Sequence, residues 1–358
     1  MTLTGPAAGD LLRAAFGDVG PVVLRRVSTG PDGTTVAYRA GSRWLYASTE
    51  PAPDGARIVD GVVVWQWPDD PWLPGLRSSV SAAAVSLRLG RPVERLVLRT
   101  YRPGRRAVVQ GPGVFLKVLR PSRGADVAAR HALLSDLPVP AVLWSDPSGV
   151  LALDALPGRQ GREALRAGRA MPSGADLVAL LSRLPTSLLS LPARPSWSDG
   201  AARYAASVGE AVPRLASRAA AVAGAVLAGV GGLPADDPVH GDLHAGQLLV
   251  TGGRVSGLLD LDRAGPGRRA DDLACLLAHV EALVVGGRVA RRRGRRLLGD
   301  WGAASSAVVD RDELRLRTAG VLLSLATGPY RVQARGWEEA TEALLRRAEE
   351  HTGPTLTA

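Results

Sequence analysis

Across residues 1–92, apolar and polar positions alternate, as in "TTVAYRAGSRWLYAS" and "RIVDGVVVWQWPDD". A period of two predicts strands that bury one face, joined by turns. Trp65, Trp67 and Trp72 cluster in "WQWPDDPWLPGL" and read as a small core. A meander of three further strands follows in "RLVLRTY", "RRAVVQG" and "GVFLKVLR", with turns at "RPGR" (Arg102 to Arg105) and "QGPG". A helix is expected across "GADVAARHALLSDL", then strands in "VPAVLWSD" and "GVLALDALPG". Beyond "LPGR" the pattern becomes helical, through "ADLVALLSRL" and "AARYAASVGEAVPRLASRAAAVAGAVL". The segment "HGDLHAGQLLVTGGRVSGLLDLD" interrupts it with two short strands around "TGG". Helices resume at "ADDLACLLAHVEALVV" and end in a ragged tail, "EEHTGPTLTA". The pattern is α+β and bilobal: a β-rich extension (1–92), a small β-rich N-lobe (93–157) and a larger helical C-lobe (158–358). No internal repeat is present.

Composition narrows the function classes. Charged residues make up 22% and hydrophobic residues 46% of the 358, an ordinary globular balance. The net charge of +10 invites a nucleic-acid reading. From Asp236 onward, however, acids and arginines balance, so the surplus lies in the first 235 residues. No basic stripe with interleaved aromatics accompanies it, and "RVARRRGRRLLGD" reads as a solvated helix face or exposed loop. Nucleic acid is therefore not an expected partner, and a small polyanionic ligand suits the surplus better. The single cysteine, Cys275, excludes an internal disulfide framework and reads as a buried thiol. "MTLTGPAAGDLL" lacks the pattern of a signal peptide. "AAAVAGAVLAGVGGLPA" reads as a soluble helix ending at "GVGG" rather than a membrane span. A cytoplasmic protein is expected.

Among 44 lysine and arginine positions only one is lysine, Lys117. Asparagine is absent and isoleucine occurs once, a bias that reads as codon drift toward arginine. A lysine that persists under that drift is a candidate for chemistry that a guanidinium performs poorly.

"HGDLHAGQ" is the densest cluster of chemical groups. As a strand it would put His240, Asp242 and His244 on one face, two imidazoles and a carboxylate suited to a metal-dependent hydrolase or oxygenase. The other reading takes Asp242 as the carboxylate that accepts or orients the proton of a substrate hydroxyl.

The run "HGDLHAGQ", then Asp260 in "LLDLDRAG" and then "DDLA", resembles the aminoglycoside phosphotransferase and choline kinase family. The resemblance covers roughly Arg95 to Ala282 and is densest from Val239 to Ala274. It implies a bilobal protein-kinase-like fold that transfers phosphate from ATP or GTP to a hydroxyl of a small molecule, with Mg²⁺ as cofactor. By matched positions it implies Asp242 as catalytic aspartate, Gln247 and Asp260 as metal ligands, and His240 and Asp272 as structural supports. It also implies that Lys117, on the third strand of the small lobe, reaches the α/β-phosphates. Gly104 and Arg105, in the turn joining the first two strands, take the place of the phosphate-covering loop. Asp154, Ala155 and Leu156 take the place of the hinge that meets adenine.

Two positions depart from the family. Glutamine stands at 247 where asparagine is usual, a form similar to bacterial maltose kinases; the long N-terminal extension points to the same branch. No glutamate lies between Glu94 and Glu163 to pair with Lys117, leaving Asp126 or His131 as candidates to orient it. A kinase-fold protein that holds nucleotide without turnover therefore stays open, as does the metal-triad enzyme. The acceptor (aminoglycoside, sugar or amino alcohol) and the oligomeric state are not specified at this level.

Overall fold

The computed structural model describes residues 3–5, 7–30 and 32–353; part of the ragged tail lies outside them. The chain forms two compact units. Unit 1 comprises 1–129, 141–155 and 331–334, and unit 2 comprises 130–140, 156–330 and 335–358.

Unit 1 holds two five-stranded antiparallel sheets. The first contains β1 (Val22–Gly30), β2 (Gly33–Ala40), β3 (Arg43–Ser48), β4 (Ile58–Val59) and β5 (Val62–Gln66), in the order β1-β2-β3-β5-β4. Helix α1 (Ala7–Phe16) precedes it, and α2 (Leu76–Ser79) and α3 (Ala82–Leu89) follow. The Ser81 hydroxyl caps α3 by accepting from Ala84 N, and Gly90, at φ +63°, ends it. The second sheet is the expected meander: β6 (Val97–Arg102), β7 (Arg106–Gly111) and β8 (Val114–Leu119). After α4 (Pro121–Leu133) come β9 (Val142–Ser145) and β10 (Val150–Asp154), giving the order β6-β7-β8-β10-β9. Leu116 and Val118 of β8 join Val109, Val150 and Ala152 in one apolar core, while Leu119 and Leu151 pack with Val127 of α4 in another. β8 is thus covered on both faces. Tyr46, Trp65 and Trp72 form a third core with half-buried Trp67 and Tyr101 beside it, as the tryptophan cluster predicts.

The fourth helix starts three residues before the expected "GADVAARHALLSDL" and stops four before its end. Pro121 explains the early start, since its fixed φ suits the first turn of a helix.

Unit 2 is mainly helical. It opens with β11 (Arg159–Gln160), α5 (Gly161–Arg166), α6 (Gly174–Ser182), α7 (Ala201–Ala211) and α8 (Ala216–Val230). A reciprocal capping box between Ser173 and Asp176 starts α6. Four short strands follow: β12 (Asp237–Val239), β13 (Leu248–Thr251), β14 (Arg254–Leu258) and β15 (Gly265–Gly267). β13 and β14 are the hairpin around "TGG"; the pairings β12–β15 and β11–β13 have too few residues to leave a period in the sequence. Then come α9 (Arg269–Val285), α10 (Arg291–Ser306), α11 (Arg311–Ala326), α12 (Gly328–Arg331) and α13 (Trp337–Thr352). Helices α9 and α11 are buried nearly all round. Between them Arg317, 2% exposed, reaches Asp271 and Glu313, each at 2.7 Å, and Arg268 reaches Glu313 at 2.8 Å. The arginine run 288–300 is largely exposed, on and before α10. Among the described residues no helix is long and apolar enough to cross a membrane.

Candidate active site

The segment after β12 leaves the strand at His240, so the alternation that would align His240, Asp242 and His244 does not occur. His240 turns inward. It is 1% exposed, its Nε2 lies 2.9 Å from Leu259 O, and its Nδ1 accepts from Asp242 N at 3.3 Å. Burial lowers its pKa, which favours the neutral ring with the proton on Nε2. His240 is therefore a brace for the loop and not one of three convergent ligands.

Asp272 holds the same loop from α9. Its Oδ2 accepts from His240 N at 2.7 Å and its Oδ1 from Gly241 N at 2.8 Å. It sits in the first turn of α9 and is fully buried, and desolvation pushes its carboxyl up to about 6. On the other side Arg263 Nε donates to Gly241 O at 3.0 Å. Gly241 has φ +81°, and a Cβ there would stand 2.6 Å from Arg263 O, so only glycine fits.

Asp242 follows this clamped pair. The Cys275 thiol lies 3.8 Å from Asp242 Oδ1, and burial raises the thiol's pKa, so it stays protonated. His244 stacks on His279 with ring centroids 4.0 Å apart and planes 20° apart. Burial lowers both pKa values, that of His279 to about 4, so both rings are neutral. Among the described residues the side chains that gather with metal-ligand potential are Asp242, His244 and His279, and His240 is not one of them. His279 was missed at the level of motifs. The signal was present, because Asp272, Cys275 and His279 fall at i, i+3 and i+7, one face of α9.

Gln247 and Asp260 meet beside this group. Leu259 N donates to Gln247 O at 2.8 Å, which ties the hairpin end to the loop. The Gln247 amide group lies 3.2 Å from Asp260 Oδ2 and 3.3 Å from His244 Nε2. His244 Nδ1 accepts from Gly246 N at 2.9 Å, so the neutral ring carries its proton on Nε2. That proton calls for the amide oxygen, not the nitrogen, to face it. Turning the amide by 180° keeps its shape and brings Oε1 beside the Asp260 carboxylate, two oxygens that a hard divalent cation would hold together. Asp260 itself adopts φ +61°, an uncommon conformation for a residue with a side chain. The donor set fits Mg²⁺.

In unit 1, Lys117 occupies the middle of β8, paired with Val108 and Leu151. It is 5% exposed, which a chance surface lysine would not be. The turn expected to cover phosphate is already occupied. Gly104 N donates to Asp70 at 2.7 Å, and Arg105 pairs with Glu50 at 2.9 Å, so these groups hold the turn to the first sheet. In the hinge-like segment, Asp154 N donates to Ala141 O and Ala155 N to Gly113 O, and the two units divide between Ala155 and Leu156. Asp126 pairs with Arg123 at 3.6 Å, and His131 Nδ1 lies 2.9 Å from Pro140 O.

A β-rich unit followed by a mainly helical one that carries the clamped "HGDLHAGQ" loop and its hairpin is the layout of a protein-kinase-like phosphotransferase. The chain belongs to the phosphotransferase enzyme family, whose profile it matches over residues 16–307, well beyond the stretch where the motifs are dense. It is a small-molecule kinase with a hydroxyl acceptor. A choline/ethanolamine kinase family protein from Mesorhizobium loti shares the fold at 18% identity, TM-score 0.51, over 78% of this chain and 95% of its own. The aminoglycoside phosphotransferase APH(2")-IIia, solved with GDP and kanamycin, does so at 13% identity, TM-score 0.50, over 74% and 97%. No curated protein sequence matches this chain.

Proposed function

We propose that the protein transfers the γ-phosphate of ATP or GTP to a hydroxyl of a sugar, an amino alcohol or an aminoglycoside. The observation that supports this reading is the approach of the Gln247 amide to Asp260 at 3.2 Å beside Asp242, which would put a cation site next to a proton acceptor. Asp242 would orient the acceptor hydroxyl and take its proton as the bond to phosphorus forms. Asp260 and Gln247 would hold Mg²⁺, which when bound neutralises charge on the nucleotide's phosphates. Lys117 would supply a compact positive charge to the α/β-phosphates, and Asp154 to Leu156 would offer backbone groups to the base. Gly104 and Arg105 are assigned to the turn itself. His240 and Asp272 would act by fixing the loop. In this reading 1–92 is a cap-like extension, 93–157 the N-lobe and 158–358 the C-lobe.

The pairing of Glu281 with Arg347 at 2.6 Å and with His351 at 3.0 Å removes it from the carboxylates available to a polycationic acceptor. The deciding experiment strips metal from the purified chain and measures nucleotide consumption against sugars, amino alcohols and aminoglycosides. Recovery with Mg²⁺ and one acceptor class supports the proposal. Recovery with Zn²⁺ or Fe²⁺ alone would transfer the chemistry to Asp242, His244 and His279. Tight Mg²⁺–nucleotide binding without turnover on any acceptor would make the protein a nucleotide holder.

A further inference from the structure

Unit 1 carries an open pocket of about 480 Å³ lined by none of the residues assigned above to phosphotransfer. Its walls include the rings of Trp44, Tyr46, Trp67 and Tyr101, with Arg25 and Arg26 facing the same space. Strand register explains the hollow. Arg26 pairs with Ala37, Ala37 with Tyr46 and Tyr46 with Trp65, one row across β1, β2, β3 and β5. Residues in such a row project from one face of a sheet, and Ala37, the small member, leaves room between Arg26 and Tyr46.

The aromatic wall is fixed in place. Tyr46 stacks on Trp65 at 5.2 Å, and Tyr101 sets its edge against Tyr46 at 5.4 Å and against Trp67 at 4.9 Å. The Tyr101 hydroxyl donates to Asp70 and accepts from Trp65 Nε1, so its polar end is spoken for. Rigid rings of this kind bind a flat or ring-shaped molecule with little ordering cost.

Among the described residues no acid pairs with Arg26. Glu50 serves Arg105 and Arg120; Asp69 serves Arg77; Asp70 accepts from Tyr101, Gly104 and Trp72. Arg26 Nε is buried with no acceptor among the described residues. Burial, and then the nearby Arg331 charge, lower the pKa of Arg26. A half-buried guanidinium with an orphaned Nε carries a desolvation cost, which a bound anion would offset through charge-assisted hydrogen bonds.

We infer that this cavity binds a small anionic ligand carrying a ring, its phosphate or carboxylate held by Arg26 and Arg25 and its ring packed on Trp44, Tyr46 and Trp67. The volume lies in the range of small-molecule sites. The inference does not rest on the proposed reaction.

Calorimetric titration of the full chain with phenyl phosphate, glucose 1-phosphate, benzoate and inorganic phosphate tests it. At least one ring-bearing anion should bind at least tenfold more tightly than inorganic phosphate. Arg26→Gln should weaken that binding at least tenfold, and Trp44→Leu, at a partly exposed position, at least threefold with the fold intact. Asp242→Asn should leave it unchanged. Failure of every ring anion to outbind inorganic phosphate overturns the inference. So does binding that survives Trp44→Leu undiminished, or that disappears with Asp242→Asn.

Discussion

Asp272 accepts the backbone N–H of His240 at 2.7 Å, so the residue two before the candidate base hangs from a carboxylate on a buried helix. Both residues are within 1% of complete burial. The position of Asp242 is thus set by hydrogen bonds that no substrate has to make.

A titration test follows for Asp272. Its folded-state value, about 6, lies above the usual 3.8, so the folded state holds its proton more tightly than the unfolded state. Its contribution to stability is therefore full below about pH 4 and is lost as pH rises through about 6. In urea unfolding from pH 4 to 7, the stability of the parent relative to Asp272→Asn should fall by on the order of 1–3 kcal/mol. The neighbouring Asp271, also raised to about 6 and in part by the Asp272 charge, titrates in the same window, so Asp271→Asn is measured alongside to separate the two. A flat difference across that window would show that Asp272 has no raised pKa.

Asp242→Asn should abolish transfer while leaving Mg²⁺–nucleotide affinity within about threefold, because this carboxylate is assigned to the acceptor. Single-turnover kinetics and nucleotide titration separate the two effects. Lost affinity with normal turnover at saturation would reverse the assignment.

Asp260→Asn should weaken metal-dependent nucleotide binding and turnover together. At Gln247, asparagine should retain partial activity and leucine very little, since only asparagine preserves the amide oxygen. The readout is the Mg²⁺ dependence of turnover. A fully active leucine variant would remove Gln247 from the metal site.

Lys117→Arg should lower turnover at least tenfold, because a fork of five donors does not reproduce one ammonium contact. With Lys117 buried in β8, the larger group should also cost about 1–3 kcal/mol of stability, more than an exposed strand position would. Lys117→Met separates the effects: thermal melting should stay near the parent's, while nucleotide affinity falls. Parent-like turnover in the arginine variant would show that the lone lysine has no special task.

Much of this was legible in the chain. The β6-β7-β8 meander, the "TGG" hairpin and the helices of unit 2 follow from period and turn residues, and "HGDLHAGQ" marks the loop. Strands of two or three residues, such as β11, β12 and β15, are too short to show a period and exist through their partners. His240 could be placed on its loop, but whether it faced inward depended on the turn that begins there. The commitments of Gly104 to Asp70 and of Arg105 to Glu50 span 34 and 55 residues, distances over which local pattern carries no information.

Arginine dominance has a practical corollary. Apart from the chain's own amino terminus, Lys117 carries the only primary amine, and it is 5% exposed. An amine-selective acylating reagent therefore has one side chain to find in the entire protein. Its rate of attack reads the opening of β8 directly, without isotopes or engineered probes. The same scarcity leaves no other lysine side chain for acetylation or ubiquitin attachment, so modification at that chemistry would fall on the phosphate-binding candidate itself.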